Sequence, residues 1–79
     1  MDDERKIKKN ELRQIAKSLQ GDSAFSLVVQ VAQGIQTEET RQIDNKTQND
    51  IIMLYKQILE VDDLAKVDTI TLFNCLKAD

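Results

Sequence analysis

The chain contains no proline, no histidine and no tryptophan, and its 79 residues include only two glycines, two phenylalanines, one tyrosine and one cysteine. Each shortage narrows the reading. Without histidine the chain lacks the commonest general base and the commonest transition-metal ligand, and one cysteine cannot build a structural zinc site. Small metalloproteins and Ser–His or Cys–His hydrolases are thereby set aside. The glycines stand alone at Gly21 and Gly34, so no glycine-rich loop can cradle a phosphate. Cys75 has no partner for an internal disulfide, which fits a reducing compartment. No apolar run approaches the roughly 18 residues of a membrane-spanning helix, and the opening MDDERKIKKN is charged where a signal peptide would turn apolar. A cytoplasmic location is expected.

What is present is aliphatic. Hydrophobic residues make up 41% of the chain and aromatics only 4%, a balance that favours helices over a turn-rich β-sandwich. The expected fold class is all-α, one small bundle of about four helices over residues 1–79, with 1–10 open to fraying. A chain this short buries only about 60% of its unfolded surface, so an oligomer or a bound partner is expected to supplement its stability.

Leu12, Ile15, Ala16 and Leu19 share one face of a first helix that ends at Gly21, with Ile7 off the stripe and Asn10 as an alternative N-cap. Asp22 or Ser23 can cap a second helix that Gly34 closes. On a wheel of about 100° per residue, Ala24, Phe25, Leu27, Val28, Val29, Val31, Ala32 and Ile35 spread over roughly 200°. A helix with one buried face needs only about half of that arc. The stretch SLQGDSAFSLVVQVAQGIQ, almost uncharged in a chain that is 32% charged, therefore predicts a helix covered on two sides. It belongs either at the centre of the bundle or in an interface; a strand over FSLVVQV is the competing reading.

A third helix starts either at Thr37, followed by Glu38 and Glu39, or at Asn45, which with Gln48 forms a looser capping box. Its stripe of Ile51, Leu54, Tyr55, Ile58 and Leu59 runs back through Thr47 to Ile43, which favours the earlier start, and the helix ends near Val61. VDDLAKVD is then a connection. Asp68 can cap a last helix through Phe73, Leu76 and Lys77, although KVDTITLF also has the composition of a strand.

The net charge of −3 is unevenly placed: residues 1–20 carry six basic and four acidic groups, residues 21–79 five basic and ten acidic. The basic front either meets an acidic partner or forms a solvated face whose charges support one another at i, i+4 spacing. LRQIAKSLQGDSAFSLVVQV has the outline of a DNA-binding helix-turn-helix. Ala16, however, stands five positions before Gly21 where the pattern has four, and no Lys or Arg falls between Lys17 and Arg41 to neutralise phosphates. Nucleic acid binding is accordingly the second reading. DNKTQND suggests a calcium loop but lacks its glycine and has Tyr55 where a bidentate glutamate is required. Asp62 and Asp63 read as turn residues and Cys75 as a packed small hydrophobe. No catalytic, metal-binding or cofactor-binding residue is nominated, and neither a membrane nor a small-molecule substrate is indicated.

AKVDTITLFNCLKA, in a short acidic chain of about four helices, resembles the closing helix of the acyl carrier protein family, and GDSAF is similar to the motif that carries its phosphopantetheine. The resemblance would place the modified serine at Ser23. The chain departs from the family pattern in having Ala24 where a leucine follows the serine, and only 22 residues before it.

The leading expectation is a small non-enzymatic protein-binding regulator or adaptor, of the inhibitor, antirepressor or immunity type, or a homodimer, acting through an apolar helical surface. Charge depletion is the compositional mark of an interface core. Phe25, Val29 and Ala32 on the flank of the second helix are the expected contacts, with Met53, which lies outside its helix's stripe and is adaptable in shape.

Overall fold

A computed structural model describes residues 2–19 and 24–77, with side chains from residue 4 onward. The described residues are all-helical, without a strand: α1 Asp2–Ser18, α2 Ala24–Ala32, α3 Glu38–Arg41, α4 Asn45–Leu59, a 3₁₀ turn Leu64–Lys66, and α5 Thr69–Asn74. FSLVVQV lies wholly within α2, and KVDTITLF is α-helical from Thr69 onward, with Leu72 buried and Ile70 exposed. No helix among the described residues is long and apolar enough to cross a membrane.

Helix α1 runs unbroken for 17 residues, about 25 Å, with nothing in its sequence to interrupt it. Asn10 is thus an interior position, not a cap, and its side-chain oxygen accepts a hydrogen bond from Arg13. The expected turn at Gly21 and the caps at Asp22 and Ser23 lie outside the described residues. Helix α2 ends as anticipated. Gly34 adopts φ 76°, its N–H reaches the Val31 carbonyl at 3.1 Å, and the Ile35 N–H reaches back to Gln30 at 2.9 Å. This paired bonding satisfies carbonyls that the helix end would otherwise strand, and it needs a residue tolerant of the left-handed region.

Residues 36–50 combine the two proposed starts. Thr37 caps a helix of only four residues: its hydroxyl accepts from the Thr40 N–H at 3.1 Å, while the Thr40 hydroxyl accepts from the Thr37 N–H at 2.8 Å. The chain then bends, and α4 begins at Asn45 after Asp44. The expectation of one continuous helix is corrected here. Gln48 does not reach back to the N-cap backbone; its amide donates to the Thr40 carbonyl at 2.9 Å and the Ile43 carbonyl at 2.7 Å. It satisfies the end of α3 and so holds the bend, leaving Ile43 buried as its spacing required. At the other end of α4, Glu60 takes the left-handed conformation at φ 56°.

Helix α2 packs against α1, α3, α4 and α5, so most of its wide apolar arc is covered by the chain's own helices, while Phe25 and Ile35 stay exposed. That accounts for the uncharged stretch: Leu27, Val28, Val29, Val31 and Ala32 are all buried, and an ionised group there would have to leave water unpaired. Around them lie Leu12 and Ala16 of α1, Ile51, Leu54, Tyr55 and Ile58 of α4, and Leu72, Cys75 and Leu76 at the C-terminal end. The Tyr55 hydroxyl donates to the Leu72 carbonyl at 2.9 Å, joining α4 to α5 inside the core. Burial, with Cys75 close by, pushes the Tyr55 phenol well above its ordinary pKa.

Candidate functional site

The four nominated contacts divide between core and surface. Val29 is 2% exposed and Ala32 6%, both held between α2 and its neighbours, so neither is offered to a partner. A helical wheel measures the width of an apolar arc but does not name what covers it. Phe25 is 40% exposed near the start of α2, and Met53 is 50% exposed on α4. The described surface around Met53 does not include Phe25.

Met53 lies at a groove between α1 and α4, lined by Glu11, Gln14, Ile15, Asp50, Met53 and Leu54 and enclosing about 370 Å³. The two helices run antiparallel. Arg5, near the start of α1, meets Glu60, just past the end of α4, at 3.4 Å, and residues 11–15 lie opposite 50–54. Ile15, partly buried at the edge of the core, and Leu54, a buried core residue, lie beneath the groove. Glu11, Gln14, Asp50 and Met53 fall one step further round and make the rim. Ile7 is exposed and lies on the same flank of α1, two turns from Gln14.

Sequence reasoning singled out Met53 but missed Glu11, Gln14, Ile15, Asp50 and Leu54. The signal that could have found them was the phase of α1: Ile7, Glu11, Gln14 and Ile15 recur at i, i+4, i+7 and i+8, beside the core face and not within it. The opposite flank of α1 is basic. Arg13 donates to the Lys77 carbonyl at 2.8 Å, and Arg5 and Lys9 lie close enough to Cys75 to oppose the effect of its burial. Burial still prevails and raises the Cys75 pKa. The thiol is therefore a packed, un-ionised group, as its sequence neighbours suggested.

The structure bears on only one of the two other readings. The helix that would enter a DNA groove is α2; five of its nine residues are buried, Phe25 is left exposed, and the helix carries no cation. Ser23, the position implied by the carrier-protein resemblance, lies outside the described residues. Among the described residues no group of three acidic, cysteine or histidine side chains is placed to hold a metal ion. The chain matches no protein-family model, no curated protein and no solved structure among those compared with it.

Proposed function

We propose that this chain is a small, cytoplasmic, non-enzymatic protein-binding regulator or adaptor, of the inhibitor, antirepressor or immunity type, whose docking surface is the groove between α1 and α4. One observation carries the reading: a half-exposed methionine stands over an apolar floor between two antiparallel helices. Helix pairs of this kind receive a third element along their shared furrow, and methionine adapts to the shape that arrives. The apolar width of α2 serves the core and not the docking surface.

A photo-crosslinking residue placed at position 53, in the native host, tests the reading against the same residue at position 70, an exposed apolar site on α5. A discrete adduct at 53 that disappears in the Ile15→Asp background, with the fold intact by circular dichroism, is expected. Equal, diffuse labelling from both positions would overturn it.

A further inference from the structure

The rim of the groove carries a charge pattern that restricts its occupant. Glu11 on α1 and Asp50 on α4 stand on either side of the apolar floor, and among the described residues neither has an ion-pair or side-chain hydrogen-bond partner. Most cations of α1, Lys8 excepted, are elsewhere. Lys6, Lys9, Arg13 and Lys17 recur at i, i+3, i+7 and i+11, a spacing that sets them together on the flank facing Cys75 and Lys77. Lys8 and Lys46 precede the two carboxylates by three and four positions, one turn along the same helix faces, and neither lines the groove, whose own charged residues are both acidic.

We propose that this groove receives a cationic amphipathic helix from a partner protein, with the partner's apolar stripe on Ile15 and Met53 and its lysines or arginines against Glu11 and Asp50. The inference rests on the protein-binding reading above and adds the chemistry of the partner. A second copy placed by a two-fold axis through the groove fits less well, because it brings the two carboxylates of each copy into one interface. A second copy entering by its basic α1 flank would satisfy the charges, but that contact is head-to-tail and leads to open-ended chains. A separate cationic helix satisfies both shape and charge in a closed complex.

The test titrates the isotopically labelled full chain with two synthetic amphipathic helices of about five turns, which share one leucine stripe and carry lysine or glutamate at the polar positions. The lysine peptide is expected to shift the amide signals of Gln14, Ile15, Met53 and Leu54 and to bind at least about tenfold more tightly than the glutamate peptide. Glu11→Gln with Asp50→Gln is expected to weaken it about fivefold, the size of two exposed ion pairs, and Glu11→Lys with Asp50→Lys to reverse the preference. Glu11 is exposed and Asp50 half-buried, and circular dichroism checks that the fold is kept. Equal binding of both peptides in the groove overturns the charge assignment and leaves protein docking standing. Silence from both peptides together with no specific adduct from position 53 overturns both proposals. Shifts at the groove that grow with protein concentration alone replace the partner with a second copy, and shifts confined to the Lys6–Lys17 flank place the contact on the wrong side of α1.

Discussion

Tyr55→Phe removes one oxygen from the core and offers a sharp test of how α4 is tied to α5. The hydroxyl donates to the Leu72 carbonyl at 2.9 Å, and the N–H groups that would ordinarily serve that carbonyl are turned elsewhere: Cys75 bonds to Thr71 and Leu76 to Phe73. Phenylalanine keeps the ring packing but leaves a buried acceptor without its donor, a loss of about 1–3 kcal/mol. In a domain of this size each kcal/mol lowers Tm by roughly 4–8 °C, so a fall of about 10 °C is expected. The pH dependence is a second, independent readout. Below about pH 10 the phenol is neutral in both folded and unfolded chains, and its contribution is complete. Above that, the unfolded chain ionises while the folded protein retains the proton, and stability falls by about 1.4 kcal/mol per pH unit until the raised folded pKa is reached. Tyr55→Phe abolishes this share of the alkaline slope, while Cys75→Ala removes the thiol's share, which sets in above about pH 8.5. Because Tyr55 is the only tyrosine and there is no tryptophan, the tyrosinate absorbance band follows this single group. Urea unfolding from neutral to alkaline pH measures the rest. A variant within about 0.3 kcal/mol of wild type, or a folded protein whose tyrosinate band rises at the ordinary pH, would refute the buried bond.

Val29→Asp is expected to abolish folding or cost more than about 4 kcal/mol, by placing an unpaired carboxylate in the core, whereas Met53→Asp stays within about 0.5 kcal/mol; thermal melts of the pair distinguish core from surface. Gly34→Ala costs about 1 kcal/mol from its positive φ alone, since an added Cβ meets open space, and Glu60→Gly gains a similar amount by releasing a non-glycine residue from the left-handed region; both are read from urea midpoints. Cys75 in the native protein reacts with an aromatic disulfide reagent only as fast as the chain opens, and a rate near that of a free thiol would contradict its burial.

Spacing alone revealed most of the architecture. The stripes at Leu12, Ile15, Ala16 and Leu19, and at Ile51, Leu54, Tyr55 and Ile58, are the two faces that meet the core, while the Thr37 hydroxyl opens one helix and the left-handed backbone of Gly34 closes another. The width of the apolar arc on α2 correctly required cover on two sides. It could not say whether that cover came from this chain or another, and Val29 and Ala32 were misplaced for that reason. The bend at 42–44 was hidden because Ile43 remains in phase with the stripe of α4 while the backbone leaves the helix. Gln48 holds that bend through two carbonyls, a role that a capping pattern does not reveal. The groove was half legible: Met53 stood out from its stripe, but Glu11 and Asp50 became partners of one site only once α1 and α4 were known to run antiparallel.

The position of α2 also determines how the chain comes apart. It is the hub to which α1, α3, α4 and α5 all connect, so displacing any of them wets a part of its valine surface. Partial openings that spare the rest of the molecule are correspondingly costly, and amide exchange along α2 will report whole-molecule unfolding. Cellular proteases then meet either the intact bundle or the bare chain, with little in between. The quantity of this protein that a cell holds will track its overall free energy of folding more closely than any local feature of its surface.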